Sequence, residues 1–237
     1  MKTSSNRMFL AALLLASAAP LLPIAAHAQD APAATGDGWY AAGAVTLSLL
    51  NDTAGTIANA PMPGSTVRLK NPIETGFGGQ VALGHRFGSF RLEGEIGFTH
   101  NTQDRYVAIV PPTGSIPAKV SDDALRGMVN GYYDLSYGPV MPFVGAGLGF
   151  ASVDIDFFAP RAPFPAEAPR QLIKDGDTLF AYQLMAGVAV PVSEDVALTL
   201  QYRWFDAGTV EALDVRGERI ARDHAGHNVD FGIRINF

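Results

Sequence analysis

Glu93 and Glu95 lie two residues apart, a spacing that puts both carboxylates on the same face of a β-strand. Such a pair could serve as general acid and general base toward a substrate. The same carboxylates could instead form salt bridges with arginines that share an enclosed space with them. We expect this second role, an interior charge network, because arginines recur on the matching face of other segments: Arg86, Arg91, Arg126, Arg203 and Arg234.

The histidines are weaker candidates for chemistry. His224 and His227 form the only local pair, but a spacing of three suits a metal ion on a helix better than on a strand, and only Asp223 lies beside them. His85 and His100 are expected to be isolated interfacial or loop residues. The chain contains no cysteine, so thiol and disulfide chemistry are absent. We predict no catalytic residue, no bound metal and no cofactor.

The N-terminus has the composition of an export signal. Lys2 and Arg7 precede an apolar run at 9–19, and a small-x-small motif ends at Ala28. We expect a cleaved signal peptide at 1–28, a short periplasmic lead at 29–37 and a barrel at 38–237. The formal net charge is −6, and cleavage would make the chain more acidic, which disfavours nucleic acid as a partner.

Period-two alternation of apolar and polar residues dominates the rest of the chain, and no apolar run there reaches the about 20 residues that a membrane-spanning helix needs. The predicted strands are 38–50, 75–87, 90–101, 122–136, 142–154, 177–191, 195–206 and 226–237. Short connections at 88–89, 137–141 and 192–194 alternate with long ones at 51–74, 102–121, 155–176 and 207–225. This order predicts an all-β fold, an eight-stranded antiparallel up-and-down transmembrane β-barrel.

Each predicted strand has one apolar face and one polar face. An arginine or lysine facing lipid at mid-bilayer costs about 2–4 kcal/mol, so we expect the charged residues to lie inside. The interior set, a possible gate, is Arg86, Arg91, Glu93, Glu95, Arg126, Asp134, Arg203, Asp230 and Arg234. We expect Gly145, Gly147 and Gly149 to face inward and make room for larger side chains in a narrow barrel.

Aromatic residues lie toward both ends of the predicted strands, which is typical of two interfacial girdles. The expected girdle on the loop side consists of Phe77, Phe98, Phe180, Tyr182, Tyr202 and Trp204. The expected girdle on the turn side consists of Phe87, Phe90, Tyr137 and Phe237.

Four segments carry a family resemblance: 142–149 (PFVGAGLG), 180–187 (FAYQLMAG), 200–205 (LQYRWF) and the terminal pattern of Asp230, Gly232, Ile235 and Phe237. They resemble the small eight-stranded outer-membrane β-barrel proteins, the OmpA-like and opacity-type superfamily. The resemblance implies a Gram-negative-type outer membrane, contact with its lipid, and recognition of the terminal pattern by the barrel-assembly machinery. Because the chain stops after the last strand, we do not expect the peptidoglycan-binding domain of full OmpA.

The expected function is structural: envelope integrity, with a surface-exposed role in adhesion or recognition. We expect a monomer. The composition of its long loops suits either recognition of an extracellular ligand or simple shielding of the barrel, and the sequence does not choose between these two roles. The alternative is a narrow porin-like channel for small solutes or ions. A further alternative, a lipid-modifying outer-membrane enzyme, is disfavoured because Tyr202, Trp204, Phe231 and Ile233 face outward and no His-x-Ser arrangement occurs.

Overall fold

The structure is a computed structural model. It describes residues 37–50, 54–58, 66–70, 74–103, 107–109, 119–135, 140–159, 170–213 and 219–237. The strands in these ranges are β1 (Gly38–Leu50), β2 (Ala54–Ala58), β3 (Thr66–Lys70), β4 (Glu74–Phe87), β5 (Phe90–Gln103), β6 (Val107–Ile109), β7 (Lys119–Asp134), β8 (Met141–Ala159), β9 (Arg170–Pro191), β10 (Val196–Leu213) and β11 (Arg219–Asn236). Among these residues, no helix is long and apolar enough to cross a membrane.

Eight of the strands close into a barrel. Their order is β1-β4-β5-β7-β8-β9-β10-β11, and β11 pairs with β1 to complete the ring. Every pairing in the ring is antiparallel. Paired residues followed once around the ring from Tyr40 lead to Leu50, further along β1, and this stagger tilts the strands relative to the barrel axis. The predicted eight-stranded antiparallel barrel is confirmed.

The pleat of each strand sorts its side chains between lumen and exterior. On β5, Arg91, Glu93 and Glu95 are buried, whereas Leu92 and Ile96 are exposed. The same inversion holds around the ring, so the outer surface is a belt of exposed Val, Leu, Ile and Phe side chains. A water-soluble fold would bury such residues, and lipid is the solvent that this surface fits.

Aromatic side chains mark both edges of the apolar belt. Phe77, Phe98 and Phe180 are exposed toward the long connections. Phe87, Phe90, Phe237 and Trp39 are exposed toward the short ones. Tyr137, which the sequence assigned to the second group, lies outside the described residues, as do residues 1–36 with the expected signal peptide.

The short connections lie at one end of the barrel, together with the first residues of β1 and the last residues of β11. We call this end the turn-side end. The hairpin between β4 and β5 has only Gly88 and Ser89 outside the strands, and Gly88 has a φ of 61°, which glycine adopts without strain. The Gly88 amide donates a hydrogen bond to Asp37 Oδ1 at 2.7 Å. The opposite end is the loop-side end.

The strand limits differ from the prediction on the loop-side end. Two predicted long loops contain short strands: β2 and β3 lie in the first, and β6 in the second. In addition, β8 and β9 pair as far as Ala159 and Arg170, into the predicted loop 155–176, and β10 and β11 pair into 207–225. Apolar and polar side chains need to alternate only where one face of the strand meets lipid. Backbone hydrogen bonding between strands continues beyond that region into water.

Candidate functional site: the charged lumen

Arg203 on β10 crosses the lumen and is fully buried. Its Nη1 donates to Glu95 Oε1 at 2.6 Å and to Gln183 Oε1 at 2.8 Å. Its Nη2 donates to Gln80 Oε1 at 2.6 Å, and its Nε to Asp230 Oδ2 at 3.1 Å. These partners lie on β5, β9, β4 and β11, so this one side chain of β10 forms hydrogen bonds to four other strands of the ring.

A second arginine shares the same partners. Arg126 donates from Nε to Glu95 Oε1 at 3.1 Å and from Nη2 to Gln80 Oε1 at 2.8 Å. The other oxygen of Glu95 accepts from Asn130 Nδ2 at 2.9 Å. Both oxygens of this buried carboxylate are therefore occupied by donors, as a buried charge requires.

The second carboxylate of this group is equally well held. Asp230 accepts from Thr46 Oγ1 at 2.7 Å and from Gln201 Nε2 at 3.1 Å, in addition to Arg203. Two arginines and two carboxylates therefore balance each other in this layer. We call these residues the central network: Gln80, Glu95, Arg126, Arg203 and Asp230.

A different group of charges lies at the turn-side end. Arg91 Nε donates to both oxygens of Asp134, at 3.0 and 2.9 Å, and Arg86 Nη2 lies 3.4 Å from the same carboxylate. Arg91 Nη1 also donates to the Tyr40 hydroxyl at 3.2 Å. The Arg234 guanidinium lies 5.8 Å from the centre of the Tyr40 ring. We call Arg86, Arg91, Asp134 and Arg234 the turn-side cluster.

Glu93 lies between the two groups and has mainly neutral partners. It accepts from the hydroxyls of Tyr40 at 3.0 Å and Tyr132 at 3.3 Å, and from Asn130 at 3.4 Å. Its environment therefore differs from that of Glu95, which binds arginines directly. Both carboxylates are buried and engaged by donors, an arrangement suited to stabilising the lumen.

Inward glycines make room for these side chains. A β-carbon at Gly97 would lie 2.7 Å from Arg126 Cζ, and one at Gly145 would overlap the Tyr132 ring. At Gly147 it would overlap the Asn130 amide. The expected inward orientation of Gly145 and Gly147 is confirmed.

The histidine pair of β11 is split between the two faces of the strand. His224 faces the lumen, where its Nδ1 lies 3.6 Å from Asp122 Oδ2. His227 faces outward and stacks on Tyr202, whose hydroxyl lies 2.6 Å from His227 Nδ1. Residues three apart on a strand point to opposite faces, so these histidines cannot share a ligand. In the described part of the chain, no group of three or more His, Cys, Asp or Glu side chains is arranged to hold a metal ion.

His85 and His100 are isolated in the sequence, but each contacts another side chain in the fold. His100 Nδ1 lies 2.5 Å from Asp123 Oδ1 on the outer face. The His85 ring packs against Trp39 at 5.1 Å and Phe87 at 4.4 Å, measured between ring centres. Partners such as Asp123 are far from the histidine in sequence, and strand register alone brings them together.

All nine charged residues predicted to lie inside are buried in the lumen. Eight of them belong to the two groups above, and Glu93 lies between the groups. Neutral side chains outside this predicted set complete the hydrogen bonding: Tyr40, Thr46, Gln80, Asn130, Gln183 and Gln201. The sequence feature that could identify these residues is their position at alternate places along the strands, on the same face as the charged residues. The gating role stays a prediction.

The residues of the predicted assembly signal are divided between the faces of the barrel. Asp230 faces the lumen, whereas Ile235 and Phe237 are exposed on the outside. Recognition of this pattern by the assembly machinery stays a prediction.

A closed antiparallel barrel with an apolar exterior and a charged, filled lumen defines the class of outer-membrane β-barrels. The chain belongs to the family described as outer membrane protein beta-barrel domain, which matches residues 9–237. Membership in this family places the protein in a Gram-negative outer membrane.

Two solved barrels and a bacterial relative are similar to this chain. An uncharacterized protein of Brucella abortus (strain 2308) is 39% identical over 102 residues, 41% of this chain and 36% of that protein. The chain spans about a third of the length of the curated relatives it matches.

The outer membrane protein OprG from Pseudomonas aeruginosa superposes with a TM-score of 0.55 at 10% identity, covering 86% of this chain and 98% of OprG. Neisserial surface protein A gives a TM-score of 0.43 at 16% identity, covering 85% of this chain and 99% of that protein. At 10% identity, the likeness to OprG shows a shared fold alone.

Proposed function

We propose that this protein is a closed outer-membrane barrel with a structural role in envelope integrity, whose loop-side connections serve surface recognition. The observation that carries the proposal is the position of Arg203, which bonds side chains from four other strands across the lumen. The interior of an eight-stranded barrel is only just wide enough for side chains to fill. Here charged and amide side chains from different strands meet across it.

The energetics of the central network support a closed resting state. Moving Arg203 out of the lumen would leave Glu95 and Asp230 buried with one ionic partner fewer, and breaking a buried pair costs about 3–5 kcal/mol. Since each 1.4 kcal/mol is a factor of ten, the open fraction would be about 10⁻² to 10⁻⁴. A lumen closed this firmly supports a role for the outer surface and the loops.

The experiment compares outer-membrane permeability in cells with and without the protein, measured as uptake of a hydrophobic fluorescent dye. We expect uptake to rise when the chain is deleted and to return to normal with the wild-type chain. A deletion strain that excludes the dye as well as its parent would contradict the envelope role.

The narrow channel for small solutes or ions remains the second candidate, because the lumen is not completely filled. A cavity of about 40 Å³ lies between the central network and the turn-side cluster. Opening it into a continuous path requires breaking the central network. This candidate therefore predicts conductance steps from the wild-type barrel itself.

A further inference from the structure

The turn-side cluster, taken with its neighbour Glu93, carries more positive than negative charge. Arg86, Arg91 and Arg234 are 4, 5 and 2% exposed, and only Asp134 and Glu93 lie among them as carboxylates in the described lumen. The central network is balanced, so it offers no spare negative charge. One buried positive charge is left over at the turn-side end.

Several arginine donors in this group also lack a hydrogen-bond partner. In the part of the chain that the structure describes, these buried atoms are Arg86 Nε, Arg86 Nη2, Arg91 Nη2 and Arg234 Nε. Buried polar atoms in proteins are nearly always hydrogen-bonded, so unpartnered donors at a site of excess charge point to a missing acceptor. Arg234 has no carboxylate within salt-bridge distance among the described residues.

The cavity of about 40 Å³ gives such an acceptor a place. Arg91 and Arg234 both line it, with Tyr132 and Phe143 on its aromatic side and small residues such as Ala42 on the other. At about 10–15 Å³ for each water, the cavity has room for about three waters, or for a compact anion of a few heavy atoms.

The carboxylates on the cavity wall are turned to other partners. Glu93 is held by Tyr40 and Tyr132, and Asp230 by Thr46 and Arg203. Neither accepts a hydrogen bond from Arg234, so neither fills the role of the missing acceptor.

We propose that this cavity binds a small, singly charged oxyanion, a phosphate or a carboxylate, between Arg91 and Arg234. A guanidinium is a planar fork of donors that matches the two oxygens of such a group. The oxyanion accepts from the Arg91 and Arg234 guanidinium groups that line the cavity and cancels the leftover charge. Water in the cavity could accept hydrogen bonds but could not neutralise the charge.

The test measures thermal unfolding of the refolded full mature chain in detergent, followed by the gel shift between unheated and heated samples. Sodium phosphate, sodium acetate and sodium chloride are compared at equal ionic strength. We expect a saturable rise in midpoint with an oxyanion but not with chloride. At ten times the dissociation constant, the folded-to-unfolded ratio at a fixed temperature should rise about elevenfold.

The two oxyanion arms separate the sources of the ligand. A response to phosphate alone assigns a phosphate group, and a response to acetate alone assigns a carboxylate. Equal midpoints in all three salts would overturn the proposal.

Arg234→Gln should remove the oxyanion response, because it removes one wall of the site and the leftover charge together. Arg126→Gln is the matched control: it also removes one buried arginine, but from the central network, and should keep the response despite lower stability. A response of full size in Arg234→Gln would contradict the proposal, since the effect would then be a general salt effect.

A direct measurement decides the question if Arg234→Gln does not fold. The ³¹P line of inorganic phosphate should broaden on addition of the folded wild-type barrel and sharpen again when the same sample is heat-unfolded. If acetate alone raised the midpoint, the ¹³C line of labelled acetate replaces it. A line of unchanged width with the folded barrel would refute binding.

Discussion

At the scale of single residues, Arg203 explains why a chain would place so many charges inside a barrel. Each of its three guanidinium nitrogens has an acceptor, and each acceptor belongs to a different strand from Arg203 itself. A buried charge with all its hydrogen bonds made fixes the strands relative to one another, whereas a buried charge without partners destabilises the fold.

Replacing Arg203 by Ala should therefore lower the free energy of unfolding by about 3–5 kcal/mol, because Glu95 and Asp230 stay buried with a partner missing. The measurement is urea unfolding of the refolded barrel in lipid vesicles. The double variant Glu95→Gln/Arg203→Gln should lose less than the sum of its single variants, because the two residues share one interaction. Strict additivity would show that the 2.6 Å contact contributes nothing to stability.

Inward glycines allow a matched comparison on neighbouring strands. Gly147→Ala puts a methyl group onto Asn130 and 3.1 Å from Gln183 Cγ, so we expect a loss of about 1–3 kcal/mol from overpacking. Gly131→Ala faces outward with no atom within 4 Å of the new β-carbon and should be neutral or stabilising. The measurement is again urea unfolding, and equal effects of the two variants would contradict the assigned faces.

Sequence parity was enough to predict nine charged residues that lie inside, since one inward charge, such as Glu93, fixes the orientation of its whole strand. The predicted set did not include Asp122, which is also buried. It was not enough to predict partners. The bond between His100 and Asp123 and the pairing of Arg203 with Gln80 depend on strand register and on distances across the lumen. Neither quantity is local in sequence.

At the scale of strands, the apolar face of β7 runs from Leu125 through Val129 to Tyr133, all three exposed to the exterior. Val129 is midway along this face, and Tyr133 lies at the turn-side aromatic edge, with its ring centre 4.9 Å from that of Phe90. Val129→Arg should cost about 2–4 kcal/mol, because it places a charge at mid-bilayer, whereas Tyr133→Arg should cost about 0–1 kcal/mol.

Folding yield into vesicles, followed by urea titration, measures both variants. A Val129→Arg barrel as stable as the wild type would mean that this face does not meet lipid. Both variants place the same new side chain at different depths, and Tyr133→Arg also removes the ring contact with Phe90.

The connection between β8 and β9 tests the orientation of the barrel in the membrane. Both strands continue to Ala159 and Arg170, so an epitope inserted at 160–169 should leave the paired strands intact. We expect antibody to bind this epitope on intact cells, because long connections of such barrels face outward. An epitope at Gly88 and Ser89 should be reached only after permeabilisation, and the reverse pattern would invert the assigned topology.

The eight strands of the ring were predictable because each has an apolar face and a polar face over about ten residues. Their extensions were not, because β8 and β9 continue beyond the lipid, where no apolar face is required. The short strands β2, β3 and β6 contain five residues or fewer, too few for a period to stand out against the surrounding proline and glycine.

At the scale of the whole molecule, the lumen has two charged layers with different properties. The central network is balanced and closes the barrel, whereas the turn-side cluster is left with one uncancelled positive charge. The apolar exterior fixes the location in the membrane, and the interior is packed with side chains apart from the cavity of about 40 Å³. The central claim is that this interior is closed at rest.

Single-channel conductance of the refolded segment from Gln29 to Phe237 in planar bilayers tests that claim most directly, once the gel shift has shown that the barrel is folded. We predict a silent bilayer with the wild type and discrete steps with Arg203→Ala, which removes the side chain that spans the lumen. Reproducible steps of the same size and frequency from the wild-type barrel would contradict the account and establish a channel.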